Sequence, residues 1–467
     1  MPRRLLVSLV LLLALLVPAR SSAEGLSVGF ADPILTSSDA ATRDFWLDRA
    51  AETKASIIRV DVHWADVAPR QPGAGFLASD PGSPEYHWSS LDATVRDATA
   101  RGLRILFTVY DAPTWAEGPG RPKKAEPGSW EPVANAYGEF AEALAGRYDG
   151  AYPDPLGGGA PLPAVHYFEA WNEPNLSTYL TPQWRGAENS GPVIYRALLD
   201  RFYSAIKSVQ PSALVVAGSL APFGDEPGGA RTRPVLFTRA LLCLQGGALA
   251  PLPCPEKARF DVLSDHPIAV GNPTRSAVSP LDVTTPDIGR LTRILRKAEA
   301  AHLALPATPK PIWVTEFWYD TDPPDPGGVS LETQARWYEQ DLYLFWKQGV
   351  NVAIALQLRD APEGKGYAYT SQSGVYFLDG SPKPSQTALR FPLIAHRTGP
   401  FKVEVWGIAP RPGPVKIEAQ RKGGWKTLAT VRAGGPGMPF QATVKLLRYA
   451  NLRATIGGEP SLTWSQR

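Results

Sequence analysis

A chain of 467 residues with 44% hydrophobic and 20% charged residues can fill two or three domains and a large core, which excludes a disordered polymer. Its formal charge of +3 rests on three arginines of one N-terminal stretch, Arg3, Arg4 and Arg20, which excludes a basic nucleic-acid-binding surface as the organising feature. Two cysteines and six histidines without close ligand spacing exclude a cysteine-built metal centre, and no metal or organic cofactor is expected.

The chain opens as a secretory leader does. Arg3-Arg4 precede an apolar run over residues 5–17, and Ser21-Ser22-Ala23 supplies small residues for cleavage. The run is shorter than the ~20 residues that span a bilayer. A signal peptide over 1–23 is therefore expected, with an uncleaved anchor as the alternative. Export implies a secreted protein with no membrane association after cleavage. It also favours a disulfide between Cys243 and Cys254, which would close a short loop.

Behind the leader, strand and helix patterns alternate. Residues 26–30 read as a first strand and 41–54 as a helix. A second strand, 56–62, carries Arg59 within it and His63-Trp64 just past its end. A helix with Leu91, Val95 and Ala98 on one face stops at Gly102. The third strand, 104–110, is followed by a helix lined by Tyr137, Phe140, Ala141 and Leu144. The fourth runs Val165-His166-Tyr167-Phe168-Glu169-Ala170 and then presents Trp171-Asn172-Glu173-Pro174. Proline lacks an N–H and fixes φ, so the strand must end there. Further strands are predicted at 213–218, 260–264, 311–316 and 352–357. The remaining helices, the first of them after the fourth strand, centre on residues 194–209, 234–245, 288–298, 335–345 and 385–391.

Eight such repeats predict a (β/α)8 TIM barrel over residues 24–397. An open doubly wound sheet is the competitor, but it would scatter the polar residues found at the ends of strands two, four, six and seven. From residue 398 to 467 the helical period disappears. Short alternating runs separated by Gly, Pro and Asn turns predict a small C-terminal β-sandwich accessory domain. Its tryptophans, 406, 425 and 464, offer either sugar contacts or core packing.

Two strand ends carry glutamates beside aromatics, Glu173 and Glu316. Paired carboxylates at one rim are what glycosidic hydrolysis needs: one protonates the leaving oxygen, the other attacks the sugar. The segments Trp171-Asn172-Glu173-Pro174 and Val314-Thr315-Glu316-Phe317 resemble the two signatures of clan A glycoside hydrolases, with family five (cellulase-like) and family thirty-nine nearest. The resemblance covers the barrel and not the last domain. It implies Glu173 as acid/base, Glu316 as nucleophile, a retaining outcome and a carbohydrate substrate. It also gives Asn172 the sugar 2-hydroxyl and places Arg59 and His266 at the site. Glu173 is expected to have a raised pKa and Glu316 to stay ionised.

Two departures accompany the resemblance. Ile268 follows Asp265-His266-Pro267 where the family often has tyrosine, leaving Tyr110, Tyr319 and Tyr367 as substitutes. Strand eight reads Leu356-Gln357-Leu358-Arg359 in place of a tryptophan that floors the first sugar subsite. Trp64, Trp318 and Tyr319 follow strand ends and are expected to stack on sugar, with packing under loops as the alternative for each. The reading is a secreted β-glycosidase or glycanase. Its alternatives are a transglycosylase and a carbohydrate-binding barrel that has lost catalysis. Sugar identity, exo or endo action and oligomeric state stay open.

Overall fold

The computed structural model describes residues 25–367 and 370–466; the expected leader lies outside them. Eight parallel strands close into a barrel: β1 Ser27–Ala31, β2 Ile57–His63, β3 Arg104–Tyr110, β4 Tyr167–Ala170, β5 Leu214–Leu220, β6 Val262–Asp265, β7 Ile312–Phe317 and β8 Val350–Leu356. The ring runs in chain order, and β1 pairs with both β2 and β8 to seal it. The principal helices between and after the strands are α1 Ala40–Glu52, α2 Ser89–Ala100, α3 Ala134–Arg147, α4 Gly191–Val209, α5 Pro234–Leu241, α6 Gly289–Ala300, α7 Leu331–Lys347 and α8 Pro384–Arg390. The (β/α)8 architecture expected from the alternation is the one observed.

Strand residues alternate between two cores. Ile58, Val60 and Val62 of β2 face the helices and join the large outer cluster, whereas Ile57 belongs to a separate inner cluster with Leu106, Val216, Val262, Trp313, Val352 and Ile354. These inner side chains fill the lower part of the ring. Gly218 of β5 has φ +113°, and a Cβ there would meet the Ser264 carbonyl oxygen at 2.3 Å, so only glycine lets β5 and β6 close at this point.

Past the barrel, β9 Leu393–Arg397, β10 Lys402–Ile408 and β13 Pro439–Lys445 form one antiparallel sheet. β11 Gly413–Arg421, β12 Gly424–Ala433 and β14 Asn451–Ile456 lie in the other. Val403, Val405, Val415, Ile417, Leu452 and Ala454 are among the residues of their shared core. The expected sandwich is present, and its first strand begins ahead of residue 398. Trp406 is buried against Tyr343 and Trp346 of α7, so this tryptophan joins sandwich to barrel. Trp425 and Trp464 lie under the guanidinium groups of Arg453 and Arg336, at 4.2 and 4.1 Å. Cys243 and Cys254 form the expected disulfide. No helix among the described residues is long and apolar enough to cross a membrane.

Candidate active site

The alternation that puts Ile57 in the lower barrel puts Arg59 two residues higher on the same inner face. A buried guanidinium needs anions and hydrogen-bond acceptors around it. Arg59 Nε donates to Glu169 Oε2 at 3.0 Å, Nη1 to Glu316 Oε1 at 2.7 Å and Nη2 to Asn172 Oδ1 at 2.7 Å. Burial alone would lower its pKa, but Asp61, Glu316 and Glu169 outweigh that and raise it. Glu169, wholly buried in β4, also accepts from Thr108 Oγ1 at 2.7 Å and Ser264 Oγ at 2.8 Å.

Glu316 comes from β7, where register against β8 slips between Val314 and Phe317. Such a bulge re-aims side chains. Phe317 packs outward on Tyr338 and Phe345, while Thr315 and Glu316 both address the interior. Glu173 follows β4 through a turn with Trp171 at φ 70° and Glu173 itself at φ 38°. Left-handed backbone is strained for such residues and costs on the order of 1–3 kcal/mol each. The Glu173 N–H donates to Ser219 O at 3.1 Å, and Trp171 Nε1 donates to Tyr179 O at 2.8 Å, holding the turn.

His266 follows β6 and joins the two carboxyls. Its Nδ1 lies 3.0 Å from Glu173 Oε1 and 3.7 Å from Glu316 Oε2, and its Nε2 lies 3.1 Å from Thr315 Oγ1. One oxygen of each glutamate and one nitrogen of His266 all fall within 4.8 Å of one another. The side chains of Glu173 and Glu316 are 13% and 12% exposed, so both are sheltered yet open to a ligand. The same three groups could ligate a metal ion, though the Arg59 guanidinium already sets a positive charge against Glu316.

Burial pushes the Glu316 carboxyl upward, Glu173 and Asp61 add to it, and His266 and Arg59 oppose it. The upward push thus falls on the carboxyl expected to stay ionised. The reason is shared: Glu173, Glu316 and Asp61 crowd one sheltered space beside Arg59 and His266, and their charges act on one another. Burial alone would lower the His266 pKa, but Glu316 and Glu173 raise it. Asp265 is wholly buried with neither oxygen hydrogen-bonded, and burial pushes it well above the ordinary carboxylate range.

Of the residues expected at the site, the structure gathers Arg59, Asn172, Glu173, His266 and Glu316. Trp318 is half-buried after β7. Trp64 does not line the opening: it is fully buried, stacked on Phe140 and edge-on to Trp115, because the single helical turn Trp64–Val67 rotates it under the loops. Tyr319 is likewise turned away, packed on Trp337 and Tyr338 of α7. Both expectations of sugar contact are therefore corrected. Among the candidate tyrosines, Tyr110 lies beside the cluster, its ring 4.7 Å from that of His63. Tyr179 went unrecognised in the sequence. It sits in the loop after Glu173, packs edge-on to Tyr110, and its phenol, raised by burial, is raised further by Glu173 and Glu316. Glu169 was also missed, although a glutamate inside an apolar run signals a buried partner.

No protein-family model matches the chain, and no curated protein matches it. Solved structures do. A family 39 glycoside hydrolase from the gut symbiont Bacteroides cellulosilyticus WH2 is 18% identical over 92% of this chain and 83% of that one, with a TM-score of 0.55. A GH39 enzyme from Xanthomonas axonopodis pv. citri, 14% identical over 92% of each chain, gives 0.49. A glucosidase from Croceicoccus marinus, 14% identical over 91% and 94%, also gives 0.49. At these identities the likeness is one of fold, and the first of the three carries it.

Proposed function

We propose that the chain is a retaining glycoside hydrolase that cleaves O-glycosidic, β-linked bonds by double displacement. The observation that carries this reading is the approach of Glu173 and Glu316, whose oxygens come within 4.8 Å across the barrel mouth. Retention needs carboxyls about 5–5.5 Å apart, whereas inversion needs a wider gap for water. The likeness in fold to a family 39 glycoside hydrolase supports the same conclusion.

In this scheme Glu316 attacks the anomeric carbon while Glu173 protonates the departing oxygen. A glycosyl–Glu316 ester forms, and Glu173 then takes a proton from the water that hydrolyses it. Arg59, at 2.7 Å, holds Glu316 in line and supports its anion. His266, between the two acids, stabilises negative charge on whichever is deprotonated. Asn172 Oδ1 accepts from Arg59, which leaves its amide N–H groups to meet the sugar 2-hydroxyl. Export through the N-terminal leader belongs to the same proposal.

Aryl β-glycosides of glucose, xylose, mannose and galactose test the reading. Turnover of at least one is expected, with loss in Glu173→Gln and Glu316→Gln variants that keep the native circular dichroism. A binder would turn over none, and full activity in either variant would remove that residue from the mechanism. Product analysis with an added acceptor separates hydrolysis from transglycosylation.

A further inference from the structure

β2 does not stop contributing at Arg59. Asp61 and His63 continue its inward face, and Asp111 meets them from the end of β3. His63 Nδ1 lies 2.6 Å from Asp111 Oδ2, and Tyr110 OH lies 3.5 Å from His63 Nε2. Asp61 Oδ1 stands 3.2 Å from Arg59 Nη1 but is buried with no hydrogen-bond partner. The side chains remain accessible: Asp61 is 35%, His63 43% and Asp111 34% exposed. The hydrogen bond to Asp111 raises the pKa of His63. Tyr179 packs edge-on to Tyr110, which lies against His63, and the charges of Glu173, Glu316, Asp61 and Asp111 all raise its phenol.

We infer that Asp61, His63 and Asp111 form the wall that reads the glycone, and that the site selects a neutral sugar over a uronic acid. The inference rests on the reading of Glu173 and Glu316 as a sugar-cleaving pair. The nitrogens of Arg59 are already matched by Glu169, Glu316, Asp61 and Asn172, and the imidazole of His63 by Asp111. Neither side chain offers a sugar carboxylate an unengaged pair of donors. Asp61 and Asp111 are charged acceptors, and charged acceptors make the stronger hydrogen bonds to hydroxyls. A carboxylate presented in their place would meet like charge in a sheltered cleft.

The test compares kcat/KM for p-nitrophenyl β-glucoside, β-xyloside and β-glucuronide, with binding of a neutral iminosugar and its uronic counterpart measured by calorimetry. The uronide is expected to be worse than the best neutral substrate by on the order of 100-fold or more. Asp61→Asn and Asp111→Asn should each raise KM for the neutral sugar more than they lower kcat, and narrow that ratio. Comparable turnover of the glucuronide, or an unchanged ratio in the variants, overturns the inference and leaves the cleavage reading standing. If no glycoside is cleaved but the neutral iminosugar binds better than the uronic one, the cleavage reading fails and the charge selection holds. Equal or tighter binding of the uronic compound overturns the selection, and binding of neither overturns both.

Discussion

The lower and upper halves of the barrel interior are built on opposite principles. Below, Ile57, Leu106, Val216, Val262, Trp313, Val352 and Ile354 interdigitate without a charge among them. Above, one residue pair higher on the same strands, Arg59, Thr108, Glu169 and Ser264 meet in a buried polar network. The lower half is held by burial, which is non-directional and tolerates conservative replacement. The upper half is held by a few directional bonds, each of which leaves an uncompensated group when removed. The difference shows why the reactive end can aim its groups while the closed end supplies cohesion.

Replacements that strike the glutamate pair should give the largest effect. Glu173→Gln removes the proton donor and is expected to lower kcat by about 10²–10⁴-fold, with thermal unfolding close to wild type. A rate within twofold of wild type would break the assignment. Next comes the network itself. Arg59→Met leaves Glu169 and Glu316 without their guanidinium and should destabilise by about 3–5 kcal/mol, measured by denaturant unfolding. A near-neutral result would mean that the upper half is not organised by this cation.

A pH series sharpens the contrast with buried acids elsewhere. Burial raises Glu339 to about 8 against the partial opposition of Arg336, and raises Asp341 to about 7. Their folded pKa values exceed the unfolded ones, so the native state holds protons that the unfolded chain releases. The stability these two groups contribute should therefore be fully present below the unfolded carboxylate range and decline as pH rises toward 7–8. Glu339→Gln should flatten that decline; an unchanged slope would show that Glu339 does not carry it. The smallest change is expected from Ile354→Val in the lower layer: about 0.5–1.5 kcal/mol of stability, with kcat unaffected. A loss of turnover there would mean that the two halves are not separable.

Much of this was legible in the order of residues because period carries direction. Alternation over 57–63 assigns Ile57 and Arg59 to one face. The proline at 174 marks the exit from β4, but the strand ends earlier, at Ala170, where Trp171 turns left-handed and carries the chain to Glu173. The same signal was silent on Trp64 and Tyr319. Each follows a strand, but beyond the last paired residue the two-residue period lapses, and a helical turn or a neighbouring helix decides where an aromatic points. Tyr179 had no period to mark it either.

What the sequence by itself determined is the alternating architecture, the change to β-structure near its end, and the two glutamates at strand termini. These follow from local rules of pattern and turn chemistry. Only the tertiary structure decided that Glu169 lies under Arg59, that His266 stands between the acids, and that Asp61 and Asp111 share their opening. Those contacts join residues as far apart as the 257 positions between Arg59 and Glu316. Closure of the ring creates them, along with the burial that sets their charge, and no local pattern encodes a distance across a closed barrel.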